Sequence, residues 1–276
     1  PDTFFNYQYI IDAFAGDPAA AAPADTAKAE KKGNPLKIDV VKTALKNVRF
    51  RFHDESGGTD FSLFVKDLLL KPSNIDIEQL RFDVDELSIS GVRVNLVMTE
   101  SILPPAPDTS TGTSPLLLSI QKLHLKDAEY TMDAKTSAMY MKANVGELDA
   151  KVPLFDLVGQ LMQADKLYLS ESNVLMVMGK SSPVQVPEVV PEVAEVIDTL
   201  GWRIVASDVK LKNIGYQMDD NKQPPKPYGM DYAHMDIRNL FLVADNLVYT
   251  NDTISGNVRQ LALKEKSGLE LQEFKT

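Results

Sequence analysis

The chain has 276 residues and a formal charge of −10, from 29 Lys plus Arg against 39 Asp plus Glu, a balance that argues against attachment to nucleic acid by phosphate neutralisation. It has no cysteine, which excludes a disulfide scaffold, a thiolate zinc site and a cysteine nucleophile. Hydrophobic residues make up 44%, enough for a sizeable apolar surface, yet no run of about 18 apolar residues offers a membrane-spanning helix.

Residues 1–14 are aromatic-dense, opening on Pro1-Asp2-Thr3-Phe4-Phe5, and read as the end of a preceding repeat in a longer chain. Residues 15–35 contain GDPAAAAPADTAKAEKKG, a low-complexity loop with nothing to bury. A first β block is expected over 36–102. Ser56-Gly57-Gly58-Thr59 reads there as a hairpin turn between Val48–Phe52 and Phe61–Val65. Ile75 and Ile77 then alternate with acids, and Leu80, Phe82 and Val84 with Arg81 and Asp83. The alternation slips at Asp85-Glu86 and resumes through Leu87, Ile89, Val92, Val94, Leu96 and Met98. Such period-2 stretches predict antiparallel strands with one apolar face, and each slip predicts a turn or bulge.

Residues 103–115, LPPAPDTSTGTSP, form a second loop, and 116–180 a second β block. Residues 181–201 hold a Pro-rich loop and a short amphipathic helix at 192–200 closed by Gly201; 202–276 make a third block. The blocks share a signature. Leu45-Lys46-Asn47-Val48-Arg49-Phe50-Arg51-Phe52 returns as Leu125-Lys126-Asp127-Ala128-Glu129-Tyr130-Thr131-Met132. It returns again as Leu211-Lys212-Asn213-Ile214-Gly215-Tyr216-Gln217-Met218. Repeats of this kind stack one supersecondary unit on the next and run a continuous apolar surface along the stack.

The three histidines carry little chemistry. His53-Asp54 is replaced in the other copies by Asp133-Ala134 and Asp219-Asp220, as turn residues would be. His124, between Leu123 and Leu125, should face solvent. His234 has Asp231 and Asp236 nearby, but ligands at strand spacing would scatter over both faces. Asp219-Asp220 and Asp231-Asp236 flank a Pro- and Lys-rich loop and read as solvated loop ends. No catalytic residue, metal site or cofactor is expected, and no nucleophile–base pairing points to an enzyme.

The second block runs Gly146-Glu147-Leu148-Asp149-Ala150-Lys151-Val152-Pro153-Leu154-Phe155-Asp156-Leu157-Val158-Gly159-Gln160, then through Lys166-Leu167-Tyr168-Leu169-Ser170 to Val174-Leu175-Met176-Val177. It resembles the recurring unit of AsmA-like proteins, the family that includes the translocation and assembly module subunit TamB, in its Bacteroidota-type form. The strand–step–strand elements Asp85-Glu86-Leu87-Ser88-Ile89-Ser90-Gly91-Val92, Tyr228–Met235 and Lys264–Leu271 fit the same unit; the second block has Glu171-Ser172-Asn173 where the first has Ser90-Gly91. The resemblance covers about residues 36–276 and concerns strand and turn pattern. It implies an elongated antiparallel β-sheet folded into a hydrophobic groove, with one or two short helices. It also implies a periplasmic place, an inner-membrane anchor outside this sequence, phospholipid acyl chains as cargo between inner and outer membranes and/or a part in outer-membrane protein assembly, and an outer-membrane β-barrel partner.

On that reading the groove is lined by Phe50, Phe52, Phe82, Val84, Leu87, Ile89, Val94 and Leu96 in the first block. The second adds Tyr130, Met132, Leu167, Leu169, Leu175 and Val177; the third adds Tyr216, Met218, Leu240, Leu242, Leu247 and Tyr249. Alternation alone also fits the alternative, a structural or adhesive β-sandwich repeat protein without lipid cargo. A groove would leave only 192–200 and Phe155–Met162 as lids.

Overall fold

The computed structural model describes residues 41–76, 79–101, 117–179 and 201–275. The segments expected at 1–14, 15–35 and 103–115, the Pro-rich stretch 181–191 and the helix at 192–200 lie outside the described residues. Ten strands form one sheet in chain order: β1 (Thr43–Asp54), β2 (Thr59–Asp76), β3 (Arg81–Met98), β4 (Leu117–Ala134), β5 (Met139–Asp156), β6 (Leu161–Met178), β7 (Arg203–Asp220), β8 (His234–Tyr249), β9 (Ile254–Glu265) and β10 (Glu270–Lys275). At about 3.3 Å per residue the longest strands reach about 60 Å.

Hairpins join strands within each block, and their turns are set by local polar chemistry. Asp54 Oδ1 accepts the Ser56 and Gly57 N–H groups at 3.0 and 2.9 Å, and Asp156 Oδ1 accepts that of Gly159 at 2.8 Å. No helix occurs among the described residues. Phe155–Met162, expected as a lid, is the β5–β6 hairpin: apolar residues at both strand ends flank a four-residue turn. The blocks themselves meet differently from a simple antiparallel sheet, because β3–β4 and β6–β7 pair in parallel. Two three-stranded blocks and one four-stranded block, β1–β3, β4–β6 and β7–β10, thus fuse edge to edge.

A closed sandwich is not formed by the described residues. All ten strands belong to one sheet, in which only hydrogen-bonded neighbours approach within 8 Å at their Cα atoms, and the buried hydrophobic side chains are all Val, Ile or Ala, with no Leu, Phe, Met or Tyr among them. Two facing sheets would have covered those larger groups. All eleven buried hydrophobics, among them Val65, Val84, Val152, Ala206 and Val209, nevertheless share one face. With no second layer above them, they are hidden by neighbours across a bend. The apolar face is the inside of a groove.

The bend has a chemical cause. Asn47, Gly91, Asp127, Glu171 and Asn213 take positive φ values of 52°, 62°, 52°, 50° and 54°. They stand in a line across the sheet with Lys66 and Gly146, at a step where ladder pairing is interrupted on both partners from β1 to β7. A left-handed residue reverses the strand's in–out alternation, so Leu45 and Val48, or Leu125 and Ala128, face the same way three residues apart. Each strand therefore folds across this crease while both its halves keep apolar side chains inside. Gly146 is required by close approach, since a Cβ there would lie 2.5 Å from the Glu171 carbonyl oxygen. The slip at Asp85-Glu86 is a bulge within β3, opposite Lys71 and Pro72.

Candidate functional site

Following the register across the sheet turns the sequence pattern into bands. Below the crease, Leu45, Leu68, Ile89, Leu125, Leu148, Leu169, Leu211, Leu242 and Leu261 are successive partners on β1 to β9. Above it, Phe52, Phe61, Leu96, Met132, Met141, Met176, Met218 and Met235 form a second band on β1 to β8, with five adjacent methionines. Between them runs Phe50, Leu63, Val94, Tyr130, Ala143, Val174, Tyr216 and Ile237. A concavity of about 450 Å³ opens on this face, walled by Leu63, Val65, Ile89, Val92, Leu125 and Val145 with no polar surface.

The expected lining residues lie on the apolar face, within these bands or in rows beyond them, with two exceptions. Phe50, Phe52, Val94, Leu96, Tyr130, Met132, Tyr216 and Met218 lie above the crease on the apolar face. Ile89, Leu169 and Leu242 stand in the leucine band, Leu87 and Leu167 one row beyond, and Leu240 opposite Ile214. Val84, 5% exposed, and Leu247 lie further along, with Phe82 and Tyr249 near the far end. Leu175 and Val177 are corrected. They pair with Lys142 and Tyr140 on β5, and with Gln217 and Asp219 on β7, on the polar face. Glu171 is the reason: its φ of 50° flips the alternation, so Val174 and Met176 turn inward instead.

The opposite face is polar and laced with cross-strand pairs. Lys71 and Glu86 Oε2 lie 2.5 Å apart, Lys142 and Glu129 3.0 Å, Lys151 and Asp165 2.8 Å. His124 stands opposite Asp149, with Nδ1 3.0 Å from Oδ1, and shows 40% side-chain exposure as expected of its solvent face. Together with Glu147 they bring three ligand-type atoms within 4.8 Å; Lys126 faces Glu147 directly. Cross-strand register creates this cluster, so spacing along the chain gave no sign of it.

At the β7–β8 end, Asp231 is not a solvated loop end. It is 7% exposed and accepts the Lys226 N–H at 2.8 Å and the Ala233 N–H at 3.2 Å, with His234 Nδ1 3.0 Å away. The Lys226 amide and the His234 ring hold its carboxyl below the usual carboxylate range against the opposing effect of burial. Asp236 instead engages Arg238. Nearby Glu265 is 2% exposed. Burial pushes its carboxyl up, but hydrogen bonds from the Ser267 side chain and from the Ser267, Asp236 and Lys266 amides outweigh that and leave it lowered.

Comparison with family models, curated proteins and solved structures finds no match.

Proposed function

We propose that this chain is a hydrophobic-groove protein of the AsmA-like, TamB-related kind, which holds phospholipid acyl chains in the periplasm without covalent chemistry. On this reading it carries them between inner and outer membranes, beside an outer-membrane β-barrel and tethered to the inner membrane. The observation that supports it is the leucine band: an uninterrupted apolar row on nine strands, bent into a groove and left uncovered by any second layer among the described residues. Eight strand spacings of about 4.8 Å give a row of about 38 Å. One leaflet's share of a hydrocarbon core is about 15 Å, so two acyl chains fit end to end. Each methylene taken from water contributes about 0.8 kcal/mol without directional demands, so cargo can take the place of a second sheet.

The test is mass spectrometry of lipids extracted from the natively purified protein, run on the wild type and on Leu125→Asp. Leu125 is half-buried on the groove floor, where a carboxylate hydrates whenever cargo is absent. Retained melting with depleted lipid is the expected outcome. A wild-type protein that carries no lipid, or a Leu125→Asp protein with an unchanged load, overturns the reading.

A further inference from the structure

The polar face carries a feature unconnected with the groove. Arg49, Phe64 and Arg93 are direct partners across β1, β2 and β3. The guanidinium carbon of Arg49 lies 5.4 Å from the Phe64 ring centroid and that of Arg93 5.9 Å, so one phenyl ring serves two cations. Arg51, Arg81, Arg238 and Arg259 each have a carboxylate partner. Arg49 and Arg93 have none among the described residues. Glu129, next to Arg93 in the same row, is held by Lys142 at 3.0 Å, which neutralises the one carboxylate placed to compete.

A dent of about 570 Å³ opens over this row. Its lining includes the adjacent row of the same four strands, Arg51, Ser62, Asn95 and Thr131, which adds two hydroxyls and an amide beside the guanidinium edges. Arg51 is turned to Asp60 at 2.9 Å and so borders the dent without adding a free charge.

We propose that this dent binds a phosphate ester. Two guanidinium forks approaching from the strands on either side of one ring meet an anion from two directions, which suits the tetrahedral oxygens of a phosphoryl group better than the two coplanar oxygens of a carboxylate. Stacking on Phe64 holds each planar fork in place before the ligand arrives, so little side-chain freedom is lost on binding. In a chain of net charge −10, two adjacent uncompensated cations also give a local field opposite to that of the whole molecule. The chemistry is shared by a soluble phosphate ester and by a phospholipid headgroup.

The experiment titrates the folded chain with sodium phosphate while following arginine Nε–H signals by NMR. In parallel, sedimentation is measured with vesicles of phosphatidylglycerol and with vesicles of digalactosyl diacylglycerol, which contains no phosphate. Saturable shifts of Arg49 and Arg93 are expected, weakened at least tenfold in Arg93→Gln and further in Arg49→Gln with Arg93→Gln. Phe64→Leu keeps both charges and is also expected to weaken binding, since the platform is lost. All these side chains lie on the polar face, and unchanged melting checks that each variant folds. A response to phosphate without sedimentation identifies a soluble ester as the source; sedimentation with phosphatidylglycerol alone identifies a headgroup. Silence with both probes, equal sedimentation with the galactolipid, or native binding by Arg93→Gln overturns the proposal.

Discussion

Gly91 and Glu171 occupy the same position in successive blocks, and together they show what the crease demands of a residue. Both are left-handed, at φ 62° and 50°. At Gly91 a Cβ would lie 2.7 Å from the Lys66 Cβ, so Gly91→Val combines a clash with a conformation that β-branched residues avoid. A loss of about 2–3 kcal/mol is expected, read as a lower melting temperature. Glu171→Gly works in the other direction. Relief of the left-handed penalty exceeds the extra backbone freedom, and the stability should rise by up to about 1 kcal/mol. Part of this was legible beforehand. The repeat places Asn47, Asp127 and Asn213 at the crease, and Asn and Asp are the residues that tolerate this conformation. Glu171 carries no such mark, which is why plain alternation put Leu175 and Val177 on the wrong face.

At the scale of elements, strands and hairpins were readable because period-2 alternation and Gly- or Asx-bearing turns are local signals. The parallel joints were not: alternation is identical for either direction of pairing, and direction depends on how the chain returns between blocks. The β9–β10 hairpin owes its turn to a buried anion, and that makes it acid-sensitive. Glu265 has a folded-state pKa below its unfolded value, so its contribution is fully present above the ordinary carboxylate range and is lost as pH falls through the depressed value. Hydrogen exchange, corrected for intrinsic rates, should show β9 and β10 opening on acidification before β5. Glu265→Gln should reproduce that opening at neutral pH.

For the described sheet as a whole, strict nearest-neighbour strand pairing means that backbone hydrogen bonding shares stability only along the sheet. Ala244 in β8 is fully buried. Ala244→Asp should strip exchange protection from β7 to β9 while β1 to β3 keep theirs; uniform loss across all ten strands would contradict this one-dimensional behaviour. The two edges are also unlike. β10 is six residues long, irregularly paired and bears Glu270, Glu273 and Lys275, all features that discourage further pairing. β1 is twice that length, exposes Leu45 and Phe50, and has no further strand beside it among the described residues.

The run of five methionines, Met132, Met141, Met176, Met218 and Met235, gives one wall of the groove a chemical vulnerability that the leucine band lacks. Peroxide converts a thioether into a sulfoxide, a polar and chiral group, while leaving backbone pairing untouched. Oxidative damage would then be silent in the fold and confined to the surface that needs to stay apolar. It is also reversible, because methionine sulfoxide reductases restore the thioether, so a compartment's oxidant load and repair capacity together would set how greasy that wall remains.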